Sequence, residues 1–214
     1  MALEFSSALR SVALADEGRV LARAGETAPR SVGPLRLVER VLQEAGRERE
    51  NVECLAVGLG PGSYTGIRAA ISLAQGWQLA SGVRLVGLSS TECLARQAQA
   101  AGMAGEVGVV VDAQRGEFYL ARYRIGPHDV EGVEPLRLAR PEEIVARAAA
   151  GIRIVGPDEV VGCGSFVRLW PDAATLARLA SKCVSFVSGA ELEPIYLRKV
   201  SFRKAPPART IPPL

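Results

Sequence analysis

The stretch Gly58-Leu-Gly-Pro-Gly-Ser-Tyr-Thr-Gly-Ile-Arg68 joins a run typical of a buried strand to a run typical of a helix. Residues 52–59 are mostly apolar and include β-branched side chains, which predicts the strand. The glycines and the proline end it, because glycine tolerates positive φ and proline lacks a backbone donor. Ser63 or Thr65 can cap a helix that runs to Ala80. The stretch therefore predicts a strand, a tight turn and a helix.

The helix predicted after this turn is apolar on nearly every side. At about 100° per residue, Ile67 and Ala70 fall on one side, and small residues fall on another. The small-residue side consists of Thr65, Ala69, Ser72, Gly76 and Ala80, with Leu73 next to it. A helix that is apolar all round is normally covered all round. We expect one side to lie on a sheet and the small-residue side to contact a second helix, from this chain or from a partner.

The glycine-rich loop itself is a candidate binding site. Its residues are Gly60, Pro61, Gly62, Ser63, Thr65, Gly66 and Arg68. Such turns bind phosphate through the free N–H groups of the following helix. However, a P-loop requires Gly-Lys-Ser/Thr, and a dinucleotide fingerprint requires a third glycine where Ser63 stands. A turn that packs the helix onto the strand is the favoured interpretation, with a phosphate site as the alternative.

Three motifs in the chain resemble the signatures of one family. The stretch from Gly60 to Arg68 is followed by Asp112-Ala-Gln-Arg-Gly-Glu-Phe-Tyr119 and by Pro194-Ile-Tyr-Leu-Arg198. In this order, and spread over most of the chain, they resemble the TsaB (YeaZ) family. That family belongs to the bacterial machinery that places threonylcarbamoyl on adenosine in tRNA. The resemblance implies an α/β fold of two actin-like lobes, of the Hsp70 and sugar-kinase type, with a reduced second lobe.

The resemblance also implies a function without catalysis by this chain. It implies a scaffold subunit that binds and activates TsaD, with TsaE as an ATPase accessory and tRNA contacted indirectly. No cofactor is expected in the isolated chain, and binding of ATP or ADP at the surface shared with TsaD is left open. The small-residue helix would form the docking face together with a helix predicted from Pro34 to Ala45. The apolar arc of that second helix contains Leu35, Val38, Val41 and Leu42. Packing in the chain's own core is the alternative explanation of this arc.

Two positions depart from the family pattern. Glu4 stands where the family has the aspartate of Asp-Thr-Ser, and Arg30-Ser31 stands where it has a His-Ser pair. A structural carboxylate at a turn is the favoured role of Glu4. The alternative function is enzymatic: a reduced ATP-dependent phosphotransferase or hydrolase that uses Glu4 and the loop from Gly60 to Gly66.

A second candidate turn lies in the middle of the chain and contains Asp112, Arg115, Gly116 and Glu117. These residues could form an acid–base cluster only if the two carboxylates were held together with their pKa values pushed apart. Aspartate commonly stabilises turns by bonding the backbone two residues on. We therefore expect a structural turn, with Arg115 and Glu117 partly solvated.

Composition sets limits on the class of protein. The net charge of +3 is too small to indicate a nucleic-acid-binding surface by itself. The four cysteines are far apart in sequence and lack metal-binding spacing, so we expect buried thiols in a reducing compartment and no metal site. No run of about 18 apolar residues occurs. These features favour a cytoplasmic protein with no membrane contact.

Three segments are predicted along the chain: an N-terminal lobe over 1–104, a smaller lobe over 105–200, and a proline-rich basic tail over 201–214. The tail is expected to be solvated, with contact to tRNA phosphates as the alternative. Shorter expectations are a helix capped by Thr91, a strand over 136–138 and a weak strand over 160–163. Self-association through the small-residue helix remains a third functional alternative.

Overall fold

The computed structural model describes residues 1–27 and 33–197. Arg30, Ser31, Arg198 and the tail over 201–214 lie outside these residues. Within them, no helix has the length and apolar character needed to cross a membrane. The strands are β1 (Ala2–Glu4), β2 (Arg10–Asp16), β3 (Arg19–Glu26), β4 (Cys54–Gly58), β5 (Arg84–Leu88), β6 (Gly105–Asp112), β7 (Phe118–Ile125), β8 (Val130–Ala139), β9 (Arg153–Gly156) and β10 (Phe166–Arg168). The helices are α1 (Pro34–Ala45), α2 (Tyr64–Ser81), α3 (Ser90–Ala100), α4 (Pro141–Ala149) and α5 (Ala173–Ala180).

The strands form two five-stranded sheets with the same plan. The first has the order β3-β2-β1-β4-β5, and the second has the order β8-β7-β6-β9-β10 when read from the same end. In each, the first three strands along the chain are antiparallel and the last two add in parallel. This repeat confirms the actin-like, two-lobed fold. The second lobe is the reduced one, because a turn connects β9 to β10 where α2 connects β4 to β5 in the first.

The helices cover the first sheet on both faces. α1 and α2 share one apolar cluster with β1, β2 and β4. On the other face, α3 and α5 pack through a cluster of alanines, Cys93 and Leu176. The opposite side of α3, through Leu94, Ala95 and Ala98, contributes to the core of the second sheet. α3 therefore lies between the two sheets and holds the lobes together.

Helix α5 follows the second sheet in the chain but packs on the first. It contacts all five strands of the first sheet and helix α3. Asp172 caps the helix, and the Ser11 hydroxyl oxygen of β2 accepts a hydrogen bond from the Ala173 N–H at 2.9 Å. A single division of the chain near residue 105 therefore does not separate the lobes, because 173–180 returns to the first.

Three local predictions need correction. The cap of α3 is Ser89 rather than Thr91, since the Ser89 hydroxyl accepts a hydrogen bond from the Thr91 N–H. The strand predicted over 136–138 is much longer, because β8 pairs with β7 from Val130 onward. The strand predicted over 160–163 is absent: those residues form a turn, and the edge strand is β10.

Candidate partner face and interlobe cleft

Helix α2 is buried on one side and open on the other. Its inner side, formed by Ile67, Ala70, Ile71 and Ala74, belongs to the core of the first lobe. The side predicted to be small is uncovered: Thr65, Ser72, Gly76 and Ala80 are exposed, and Ala69 is half-buried. Leu73, at the edge of this side, is half-buried and packs partly on the core. We call the five small residues the small-residue stripe.

The described residues leave free space above the stripe. A Cβ atom built on Gly76 would meet none of their atoms within 4 Å. Leu79, which falls beside Ser72 on the helical wheel, is 89% exposed.

The apolar arc of α1 has a different role from the one implied by the family resemblance. Val38, Val41 and Leu42 are 1%, 0% and 5% exposed and pack in the core of the first lobe. Their predicted place at a partner interface is therefore wrong, because side chains covered by β2 and β3 cannot reach another protein. Leu35 alone of the four is open, at 57% exposure. Core packing explains the arc.

The loop that precedes α2 packs closely against the turn between β1 and β2 and is hydrogen-bonded to it. A side chain on Gly62 would collide with the Ser6 carbonyl oxygen, and one on Gly66 would collide with that of Phe5. The Ser63 N–H donates to the Ser6 carbonyl oxygen at 2.7 Å, and the Ser63 hydroxyl caps the helix by accepting from Gly66 N–H. The loop glycines thus allow close backbone contact, and several of its N–H groups are already bonded within the chain.

Glu4 lies behind this loop and is fully buried. Its two carboxylate oxygens accept hydrogen bonds from the Ser6 N–H and the Ser90 hydroxyl, each at 2.8 Å. Ser90 in turn accepts from the Gly60 N–H at 3.2 Å. Burial raises the pKa of the Glu4 carboxyl, and the hydrogen bonds from Ser6 and Ser90 oppose that rise. The carboxylate ties β1 to the loop and to α3.

The second candidate turn is a backbone turn stabilised by Asp112. The Asp112 carboxylate accepts from the N–H of Gln114 at 2.7 Å and from its side-chain amide at 2.8 Å. Gln114, Arg115 and Gly116 all have positive φ, the left-handed backbone region that several tight hairpin turns use. Arg115 is exposed and Glu117 half-buried. The predicted turn-stabilising role of Asp112 is confirmed.

A second carboxyl group lies beside this turn. The carboxylate of Asp158 accepts a hydrogen bond from the Asp112 N–H at 3.1 Å. Burial raises the pKa of Asp158, and the charge of Asp112 raises it further. Sequence analysis missed Asp158, because it lies 46 residues after Asp112 along the chain.

The third motif, which begins at Pro194, contacts the glycine-rich first motif and the start of α2. The Ile195 N–H donates to the Leu59 carbonyl oxygen at 2.8 Å, and the ring of Tyr196 meets that of Tyr64 edge-on at 6.0 Å. Tyr64 also lies under the guanidinium of Arg68, 5.6 Å from the ring centroid. The motifs that are far apart in sequence are thus neighbours in the fold.

The segment before this motif runs along α2 without covering the stripe. Gln75 donates through its amide to the Gly189 carbonyl oxygen at 2.8 Å, and Gln78 accepts from the Gly189 N–H at 2.7 Å. Both glutamines fall on the side of α2 near Ile71. Sequence analysis missed these contacts, since they join positions 111 to 114 residues apart.

The three motifs line one cleft between the lobes. It encloses about 480 Å³, a volume suited to a small molecule. The lining residues that belong to the β1–β2 turn or to the motifs are Ser6, Ser7, Ala8, Arg10, Gly62, Ser63, Tyr64, Asp112, Ala113, Gln114, Tyr119 and Tyr196. Over 1–27 and 33–197, no group of three or more His, Cys, Asp or Glu side chains could hold a metal ion.

Comparison with known proteins gives consistent matches. A family model described as TsaD, tRNA N6-adenosine threonylcarbamoyltransferase, matches residues 31–156. The tRNA threonylcarbamoyladenosine biosynthesis protein TsaB of Escherichia coli (strain K12) is 29% identical over 231 residues, covering 96% of this chain and 97% of the relative. The protein of the same name from Bacillus subtilis (strain 168) is 30% identical over 105 residues, covering 49% of this chain and 45% of the relative.

Solved structures agree with this result. A protein from Pseudomonas aeruginosa, described as uncharacterized with similarity to peptidase YEAZ, has a TM-score of 0.77 and 30% identity, covering 92% of this chain and 98% of that one. YeaZ from Pseudomonas aeruginosa has the same TM-score and coverage at 29% identity.

Proposed function

The chain belongs to the TsaB (YeaZ) family, and we propose from this that it is a non-catalytic scaffold subunit in tRNA threonylcarbamoyladenosine biosynthesis. In this role it binds TsaD and activates it for transfer of threonylcarbamoyl to the adenosine next to the anticodon. The names of the TsaB relatives place those proteins in this biosynthesis, and the proposal extends that role to this chain.

The observation that supports a scaffold role best is the open small-residue stripe on α2. A row of small side chains lets another helix approach closely, so that backbone and side-chain atoms of both helices come into van der Waals contact. The exposed side chains of Leu79 and Leu35 add apolar area that would be removed from water on binding. The docking face we propose consists of the stripe, the edge residue Leu73 and these two leucines.

The position of Glu4 supports a role without catalysis. A carboxylate that serves metal–phosphate chemistry must present its oxygens to the cleft. Here both oxygens accept hydrogen bonds inside the protein, and the side chain is 0% exposed. The enzymatic alternative would need this carboxylate to turn out of the core.

Other members of the assembly follow from the same proposal. We place ATP or ADP at the surface shared with TsaD, TsaE as the accessory ATPase, and tRNA in contact mainly with TsaD, all in the cytoplasm. On this chain the interlobe cleft would hold the nucleotide, because its volume suits one and Ser63 and Tyr64 in its wall adjoin the start of α2, next to the stripe residue Thr65. Its walls also carry polar hydroxyl and amide groups from Ser7, Ser63 and Gln114.

The test measures the affinity for TsaD of Gly76→Leu and Ala69→Glu variants. We expect each to weaken binding at least about thirtyfold, the scale of an interface hot spot. Gly76→Leu should at the same time stabilise the isolated chain, because glycine in a helix interior costs about 1 kcal/mol and the space above Gly76 is open. Loss of binding could then not be attributed to unfolding.

Matched controls exist in the second lobe. Gly164 is exposed with open space around it, and Ala149 is exposed at the end of α4. Gly164→Leu and Ala149→Glu should bind TsaD as the unaltered protein does. Unchanged affinity of both stripe variants would refute the proposed docking face. A homodimer that persists on addition of TsaD would favour self-association instead.

A further inference from the structure

The third motif brings the chain to the edge of the interlobe cleft. Tyr196 belongs to the cleft wall, and Leu197, the last residue that the structure describes, follows it directly. The backbone before them is fixed, because the Ile195 N–H donates to the Leu59 carbonyl oxygen at 2.8 Å. The chain after Leu197 therefore starts beside the cleft.

The residues that follow Leu197 are strongly basic. Arg198-Lys-Val-Ser-Phe-Arg-Lys204 carries four cationic side chains and no carboxylate in seven residues, and we call this stretch the basic segment. An extended chain of seven residues spans up to about 25 Å. That length is sufficient to cross the cleft, which encloses about 480 Å³. The basic segment can therefore contact either lobe without any change in the described fold.

The cleft is negative on its second-lobe side. The charged side chains among its described lining residues are Arg10 on the first lobe and Asp112 and Asp158 on the second. Each carboxylate accepts hydrogen bonds from neutral groups: Asp112 from Gln114, and one oxygen of Asp158 from the Asp112 N–H. Hydrogen bonds of this kind orient the two carboxylates but do not neutralise them.

The described chain supplies little positive charge to this pair. Burial raises the pKa of Asp158, the charge of Asp112 raises it further, and the Asp112 N–H and Arg168 oppose the rise. Arg168 is itself ion-paired with Glu159 at 3.0 Å. A cation bound beside Asp112 and Asp158 would reduce the repulsion between them. The cleft and the basic segment are therefore complementary in charge.

We propose that the basic segment binds in the interlobe cleft of its own chain, with its cationic side chains against Asp112 and Asp158. Charge-assisted hydrogen bonds to carboxylates are stronger than hydrogen bonds between neutral groups. Attachment at the cleft edge keeps the segment at an effective concentration on the order of millimolar, which favours it over a separate peptide or a second copy.

This contact has two consequences. Residues 201–204 would be held against the protein, whereas composition alone predicts a solvated tail. A small molecule would enter the cleft only after the segment has left it, so the segment competes with any such ligand. The contact does not depend on the function proposed above, and its test does not use TsaD.

The lysines of the chain make the contact testable. Two of the three, Lys199 and Lys204, lie in the basic segment. The third, Lys182, follows α5 and is exposed outside the cleft. A carbodiimide joins a lysine amine to a carboxylate with no spacer, so each product identifies two groups in direct contact.

The first experiment treats the purified full-length chain with a carbodiimide and maps the new amide bonds by mass spectrometry. We expect links from the lysines of the basic segment to Asp112 or Asp158, and none from Lys182 to either. The yield should fall in 1 M salt, which screens the attraction. A mixture of isotopically labelled and unlabelled chains shows whether each link joins groups of one chain.

Proteolysis measures the same contact without modifying carboxylates. Trypsin cuts after Lys204 in the basic segment and after Arg209 beyond it. Since a protease acts on the open fraction of a bound segment, cutting after Lys204 should be at least about tenfold slower than after Arg209. Asp158→Asn, which keeps a hydrogen-bond acceptor but removes the charge, should reduce this ratio severalfold. Glu159→Gln, at an exposed carboxylate outside the cleft, should leave it unchanged.

Several results would overturn the proposal. Segment lysines that are linked only to carboxylates other than Asp112 and Asp158, or that form no link, would mean that the segment does not bind in the cleft. Links mainly between labelled and unlabelled chains would assign the contact to a second copy. Equal cutting after Lys204 and Arg209 would also refute it, as would a ratio that Asp158→Asn leaves unchanged while circular dichroism shows this variant to be folded.

Discussion

Replacing Glu4 with alanine should destabilise the protein substantially, although it removes a buried charge. The Ser6 N–H and the Ser90 hydroxyl would both lose their acceptor at a site with no solvent contact. Each buried donor left without an acceptor costs about 1–3 kcal/mol. Relief from burying a carboxylate offsets part of this, so we expect a net loss of about 2–4 kcal/mol in the free energy of unfolding.

Glu4→Gln separates the hydrogen bonds from the charge. Glutamine can still accept from the Ser6 N–H, and its amide group can donate to the Ser90 hydroxyl oxygen. Burial raises the folded-state pKa of Glu4 above its ordinary value of 4.5. The stability that this raised pKa contributes to the folded state is therefore fully present below pH 4.5. It is lost as the pH rises through the raised pKa. Glu4→Gln should therefore gain stability relative to the unaltered protein between mildly acidic and neutral pH.

The assay is urea unfolding followed by circular dichroism at several pH values. Glu193→Gln, at an exposed glutamate, serves as the control and should leave the pH profile unchanged. If Glu4→Ala lost less than about 0.5 kcal/mol, the usual range for surface substitutions, the buried network would not hold β1 and the loop as described. A Glu4→Gln profile parallel to that of the unaltered protein would refute the account of its charge.

Three further predictions follow from local contacts and can be checked by the same unfolding measurement. Ser63→Ala should cost about 1 kcal/mol, because α2 loses its capping acceptor, and a Ser63→Thr variant that restores stability would confirm the cap. Gly66→Ala should cost about 1–3 kcal/mol through collision with the Phe5 carbonyl oxygen; a neutral result would mean that the loop can move away. Arg147→Ala, which breaks the ion pair with Glu134 at 2.9 Å, should cost up to about 1 kcal/mol, with a smaller effect in 1 M salt.

Sequence periodicity was sufficient to predict which side of α2 is buried and which is open, because the helix is regular and its two sides differ in side-chain size. The side formed by Ile67 and Ala74 is buried and the side with Gly76 is open, as a helical wheel of the sequence predicts. The same reasoning failed for the position of the α1 arc. An apolar arc shows that a helix is covered, but it does not show whether its own chain or another chain covers it.

The parts of the site that sequence did not predict depend on long-range contacts. Asp158 reaches the Asp112 turn, and Tyr196 reaches Tyr64, only through the order of strands in the fold. Strand order is set by the packing of the whole chain, so no local pattern carries this information.

The return of α5 to the first lobe has a consequence for synthesis on the ribosome. Proteins are made from the N-terminus, and domains generally fold as units once their last residues have emerged. The first sheet cannot be completed at residue 104, since the helix over 173–180 supplies much of one face. All strands of the second sheet have been synthesised once Arg168 has been added, before the helix over 173–180 exists. We therefore expect the C-terminal lobe to acquire protease resistance first in nascent chains, and the N-terminal lobe only after residues 173–180 have emerged from the ribosome.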